Sequence, residues 1–145
     1  MKLKFLVLLS TAILGLQAPA PAVADPDVGA YLAARQARYG DDFAAAALYF
    51  SRALAKDTVN PSILDNAVFA HLALGQLPRA LPIAMRMESQ GVKSQISHMV
   101  LVASEVERAN YHGLLERIED GRGLGQLADG MLAAWAHLGQ GNMTA

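Results

Sequence analysis

Residues 40–54 read Gly-Asp-Asp-Phe-Ala-Ala-Ala-Ala-Leu-Tyr-Phe-Ser-Arg-Ala-Leu, and the fold turns on how this stretch is understood. Gly40-Asp41-Asp42 breaks the chain. Phe43, Ala46, Ala47, Phe50, Ala53 and Leu54 then follow at spacings of three and four, the apolar stripe of an amphipathic helix. The stretch also recurs. Phe43, Leu77 and Tyr111 are evenly spaced, each preceded by a residue suited to a turn or a helix N-cap: Asp42, Gln76 and Asn110. Three residues after them come Ala46, Ala80 and Leu114; seven after come Phe50, Ala84 and Ile118. Several columns sharing one period mark an internal repeat.

Outward from this stretch the chain continues as helices. Asn60-Pro61 combines an N-cap with proline at the first helical position, where its missing N–H costs nothing. Leu64, Ala67, Val68, His71 and Leu74 form the next stripe, which stops at Gly75. A helix from about Leu77 carries Ala80, Leu81, Ala84 and Met85, and Pro82 inside it predicts a kink or a late start. Helices follow over about 95–109 and 111–119, then a loop over 121–125 and a helix over about 126–138. No two-residue turn joins alternating strands. The expected class is all-α.

Residues 1–24 differ from the rest. Lys2 and Lys4 give a basic start, Phe5 to Leu16 is an apolar run, and Ala22-Val23-Ala24 offers small residues where a signal peptidase reads. About 12 apolar residues are too few for a hydrocarbon core that needs roughly 20. Residues 1–24 are therefore expected to be a cleaved secretory signal, with the protein exported, as to a periplasm. Removing 24 of 145 residues leaves 121, enough for one small domain. The signal takes two of the 12 basic residues and none of the 13 acidic ones, so the remainder carries a net charge of −3. Without a basic tract, nucleic acid is not an expected partner. The chain has no cysteine, which excludes disulfides and thiolate chemistry, and beyond residue 24 no apolar stretch is long enough to span a membrane.

These columns resemble the tetratricopeptide repeat family, whose known period of about 34 residues is the interval from Phe43 to Leu77 and from Leu77 to Tyr111. In that family small residues recur where two backbones approach: at position 8 of the first helix, and at 20 and 27 of the second. Here position 8 is Ala34, Val68 and Val102; position 20 is Ala46, Ala80 and Leu114; position 27 is Ala53, Met87 and Gly121. Asp41 to Leu54 matches best. Asp57 to Pro61 resembles the family's acidic-proline turn, with Thr58 where proline is usual. The resemblance divides residues 27–145 into unit 1 (27–60), unit 2 (61–94), a degenerate unit 3 (95–125) and the first helix of an incomplete unit 4 (126–145). The third unit departs most, through bulky Leu114 and through Gly121 ending its helix early. Met131, Leu132 and Trp135 make the fourth unit's helix more apolar than a capping helix should be, which points to the front part of a longer repeat protein. The fold implied is a right-handed α-α superhelix of helix hairpins.

No catalytic constellation is readable. The four histidines, His71, His98, His112 and His137, form no HxxxH or HExxH pair, and no cysteine can complete a zinc site. His71 and His137 share position 11 and are expected in the core or at its edge. Gly121 to Gly125 follows a helix and lacks a phosphate-reaching lysine, so it is expected to be a plain turn. Glu116, Glu119 and Asp120 fall on one helix face, expected to be solvated. Neither metal, cofactor nor enzymatic activity is expected.

The resemblance implies instead a concave groove lined by the first helix of each pair. Its positions 2, 5, 9 and 12 are Val28, Tyr31, Arg35 and Arg38, then Ser62, Asp65, Phe69 and Leu72, then Ile96, Met99, Ala103 and Val106. Some members grip a terminal carboxylate there with paired lysines and asparagines. Asn66 occupies one such position, but Tyr31, Ile96 and Val100 replace others. The candidate binding residues are Tyr31, Arg35, Arg38, Asp65, Asn66, Phe69 and Met99, suited to an apolar or amphipathic segment with an acidic flank. Phe69 and Met99 could equally pack against neighbouring helices. The expected role is a scaffold for another protein or peptide. Two alternatives stay open: a self-associating envelope component, and the regulatory front of a longer enzyme. All rest on analogy of fold.

Overall fold

A computed structural model describes residues 26–142, which form seven helices and, among the described residues, no strand. They are α1 (Pro26–Tyr39), α2 (Phe43–Leu54), α3 (Pro61–Ala73), α4 (Leu77–Ser89), α5 (Gln95–Glu107), α6 (Tyr111–Glu119) and α7 (Gln126–Gly139). Consecutive helices pack on one another, and α3 also touches α5, so the first helices of the second and third hairpins are neighbours. The expected signal segment, residues 1–24, lies outside the described residues, as do residues 143–145 at the far end. No described helix is long and apolar enough to cross a membrane.

The repeat shows in the turns that end the first helices, although α4 and α6 close in the same way, through Gly91 (φ 70) and Gly121 (φ 69). There Val92 N reaches Met87 O and Arg122 N reaches Arg117 O, each at 2.9 Å. After α1, α3, α5 and α7 one residue adopts left-handed backbone: Asp41 (φ 56), Gly75 (φ 67), Ala109 (φ 51) and Gly141 (φ 82). The next residue's N–H then reaches five residues back: Asp42 to Ala37, Gln76 to His71, Asn110 to Glu105 and Asn142 to His137, each at 2.9 Å. This Schellman-type closure satisfies carbonyls that a helix end would leave orphaned. Two of the four left-handed positions after first helices are glycine, which takes that conformation freely, whereas Ala109 bears a steric cost.

The residue closing each turn also opens the following helix, but the three N-caps differ. The Asp42 carboxylate accepts from Ala45 N at 2.9 Å, and Asn110 Oδ1 accepts from Gly113 N at 3.2 Å. Gln76 makes no cap bond. Its longer side chain turns away, and its Oε1 lies 2.9 Å from His71 Nδ1. On the other side of that ring, Nε2 lies 3.3 Å from Ser51 Oγ, which donates to Ala47 O at 2.7 Å. The buried His71 thus ties α2, α3 and the α3–α4 turn together. A serine beside a histidine invites a nucleophilic reading. However, Ser51 sits in mid-helix, where the adjacent amides are consumed by the helix and cannot stabilise an oxyanion.

Helix α4 begins at Leu77 and runs through Pro82, so the late start expected from the proline does not occur. Pro82 is exposed, and the carbonyl it leaves unpaired belongs to exposed Pro78, where water can satisfy it. Asn60 caps α3 as its sequence suggests, accepting from Ser62 N and Ile63 N with Pro61 at the first helical position.

Hairpin packing follows the small-residue columns. Ala34, Val68 and Val102 are buried, as are Ala46, Ala80 and Leu114 opposite them. In the third column Ala53 and Met87 are buried, but Gly121 (φ 69) lies beyond the end of α6 in the turn. Most buried residues form one cluster from Ala34 to Leu101, with Phe50, Leu64 and Met87 its largest members; each such side chain contributes about 2–3 kcal/mol. A second, smaller cluster is built on Val102, Leu114 and Ala136.

Where α6 is short, charge replaces apolar contact. Arg117 is buried, and its two Nη atoms donate to the Glu88 carboxylate of α4 at 2.7 and 3.1 Å. Arg122 adds a third bond to Glu88 at 3.3 Å and binds Asp120 at 2.6 Å. The Arg117 hydrogen bond, followed by its charge and the Arg122 contacts, holds the Glu88 pKa below its ordinary value against the opposing effect of burial. In the loop from 120 to 125, the Asp129 carboxylate accepts from Leu124 N at 2.7 Å and Gly125 N at 3.1 Å. The loop's amides are thereby committed to the protein's own carboxylate.

Candidate functional site

Helix α1 places Tyr31, Arg35 and Tyr39 on one stripe, four residues apart, which stacks their side chains along the helix. The Arg35 guanidinium carbon lies 5.8 Å from the centroid of each tyrosine ring, and Arg35 Nη2 donates to Tyr39 Oη at 3.3 Å. That hydrogen bond, then the charge, lowers the Tyr39 phenol pKa, and the same contacts raise that of Arg35. Tyr31 is half-buried, its ring meeting Phe50 edge to face at 6.4 Å. Core packing therefore fixes one end of the stripe while Tyr39 and Arg35 stand in solvent.

Arg38 faces α3. Its guanidinium lies over the Phe69 ring, 4.5 Å from the centroid, and donates to Asn66 Oδ1. Asn66 in turn donates to Ser62 O at 2.7 Å. Phe69 itself meets Phe43 of α2 edge to face at 5.8 Å. Phe69 is thus wedged between α2 and Arg38 and stands half-buried, a support for the arginine more than a free contact surface.

Tyr31, Arg35, Arg38 and Asn66 line one cleft together with Tyr39 and Ser62. Both guanidiniums are exposed, and among the described residues neither makes an ion pair. Two fixed cations held by aromatic faces without a carboxylate form a ready anion-binding geometry.

The other two candidates are elsewhere. Asp65 is half-buried and accepts from Ser94 Oγ, bordering a second cleft with Lys93, Gln95 and Ile96. Met99 is exposed on α5 and contributes to neither of these clefts. Tyr39 is the cleft residue that sequence reasoning misses, although its spacing from Arg35 carries the signal, since a tyrosine four residues from an arginine on one helix face can receive its guanidinium. Of the histidines, His71 is buried, His98 and His137 are half-buried, and His112 is exposed beside Glu116 at 3.3 Å. Among the described residues no cluster of three metal-ligating side chains occurs.

Comparison with protein-family models, with curated proteins and with solved structures found no match to this chain.

Proposed function

We propose that the protein is an exported scaffold of the tetratricopeptide-like kind, a right-handed superhelix whose first helices hold a segment of another protein. The observation that carries this reading is the pair Arg35 and Arg38, two exposed guanidiniums oriented by Tyr31, Tyr39 and Phe69 and free of any ion pair among the described residues. The partner segment is amphipathic. Its acidic flank meets the arginines, and its apolar side chains run towards Met99 along α3 and α5. The basic start, apolar run and Ala22-Val23-Ala24 of the leader support delivery to a periplasm.

A fluorescent peptide with two or three acidic residues next to an apolar stretch tests the cleft. Arg35→Ala with Arg38→Ala is expected to weaken its binding about tenfold or more, with a shallower salt dependence and unchanged helicity. Equal affinity in the double variant, or equal affinity for a peptide with its acids made amides, would remove the arginines from the function. Phe69→Ala is the poorer probe, because it also removes a ring that packs between α2 and α3.

A further inference from the structure

We infer that the outer face of α7 is a self-association surface, on which a second copy of the chain packs its own α7 antiparallel across a two-fold axis. In the three preceding hairpins, the small-residue column of the first helix, Ala34, Val68 and Val102, is buried beneath the second helix. Helix α7 takes the place of a first helix in chain order, following the α5–α6 hairpin, and Gly141 with the Asn142-to-His137 bond sets its register against the turns after α1, α3 and α5. Its member of the column, Ala134, is nevertheless exposed. Around it Leu127 is 82% exposed, Met131 69% and Leu138 58%, with Trp135 at the flank 40% exposed. Leu127, Gly130, Met131 and Ala134 border one shallow depression. The buried side of the helix, by contrast, meets α6, where Tyr111 packs edge to face on Trp135 at 5.0 Å.

The stripe is complementary to itself. An antiparallel axis passing between Leu132 and Ala133 sets Leu127 against Leu138, Met131 against Ala134 and Gly130 against Trp135. Large meets large at the ends. In the centre a large side chain meets a small one, so that each Met131 fills the hollow over the other copy's Ala134. Electrostatics favour the same occupant. Asp129 is the one acidic or basic residue of α7 apart from His137, and its carboxylate is spent on Leu124 N and Gly125 N, so no like charges oppose one another across the axis. Antiparallel packing also sets opposite helix dipole ends side by side. A single helix face makes a small interface, so the dimer is reversible and concentration-dependent.

Sedimentation of the full chain between about 1 and 300 µM reads the equilibrium directly. A monomer–dimer transition is expected. Met131→Glu and Leu138→Glu should each shift it at least tenfold to higher concentration without loss of helicity, because both side chains are exposed in the monomer. The cysteine-free sequence permits a register test. Leu127→Cys mixed with Leu138→Cys should cross-link under mild oxidation, whereas neither variant should cross-link alone, its two thiols lying roughly 16 Å apart at the 1.5 Å rise of a helix. A chain monomeric throughout the range would overturn the inference, leaving this face to another helix. So would dimers that survive Met131→Glu, or cross-links that form equally in the unmixed variants.

Discussion

The first two hairpins and the third solve the same packing problem with different materials. From α1 to α4 the close-approach columns hold Ala34, Ala46, Ala53, Val68, Ala80 and Met87, all buried in a continuous apolar cluster. In the third hairpin the corresponding positions hold Val102, Leu114 and Gly121, α6 is only nine residues long, and its buried cluster is small. The gap is bridged by the Glu88–Arg117–Arg122 network, which belongs half to α4. The lesson is one of dependence. The third hairpin borrows its anchorage from the second through a charged pair, while the first two hold each other by area.

That contrast can be broken most forcefully in the apolar cluster. Phe50→Ala removes the largest fully buried side chain and should cost about 3–5 kcal/mol, against about 1–2 for Val102→Ala in the smaller cluster. Urea titrations by circular dichroism compare the two, and equal losses would erase the distinction. Arg117→Ala leaves the partly buried Glu88 with its longer bond to Arg122 alone and is expected to cost about 2–3 kcal/mol, with hydrogen exchange rising in α6 and α7 before α1 to α3.

The same pair gives a pH signature. Because the folded Glu88 pKa is depressed, its stabilisation is complete above the unfolded value of about 4.3 and is lost as pH falls through the lower folded value. Stability should therefore fall below about pH 4, and Glu88→Gln should be weaker at neutral pH yet show a flatter acid limb. A third perturbation acts on α7. A Cβ at Gly139 would overlap the Tyr111 ring, so Gly139→Ala should cost about 1–3 kcal/mol and shift the Trp135 fluorescence. The smallest effect has the opposite sign. Ala109→Gly relieves left-handed backbone that alanine dislikes, and a gain of about 0.5 kcal/mol in thermal unfolding would sharpen the view that this hairpin carries more local strain.

What could be read from the sequence was whatever the chain decides locally. Helix stripes, N-cap residues and the turn column depend on near neighbours along the chain, and α2, α4 and α6 begin at Phe43, Leu77 and Tyr111 as their spacing requires. Contacts made between helices were harder. Glu88 and Arg117 lie 29 residues apart on exposed-looking faces, and nothing in their own segments announces the pairing. Gln76 occupies a cap position but is recruited by His71, because its side chain is one methylene too long to fold back on its own helix. In the cleft, Arg35 could be found by spacing alone, whereas the covering of Phe69 by Arg38 and Phe43 required the angle between helices.

The turns after α1, α3, α5 and α7 keep one geometry, yet the interval between them does not stay fixed. Helix α5 starts at Gln95, a full period after Pro61 of α3, whereas α7 starts at Gln126, short of the next period. The shortfall lies within α6, which has 9 residues where α4 has 13, since Tyr111 of α6 still keeps its place after Leu77 of α4 and the connection after α6 is no shorter than the one after α4. The array thus has two kinds of joint. One is a clasp, closed by a left-handed residue and a fixed hydrogen bond, into which an extra residue cannot be slipped without rotating everything beyond it. The other is the connection over residues 55–60 between α2 and α3, which has no left-handed residue and turns on Asp57 and the Asn60 cap. The connection over 120–125, by contrast, is itself clasped by Gly121 (φ 69) and the Arg122-to-Arg117 bond at 2.9 Å. A peptide tag spliced between exposed Thr58 and Val59 should consequently be carried with less harm than the same tag at Gly75 or Gly121, where it would unseat a hairpin.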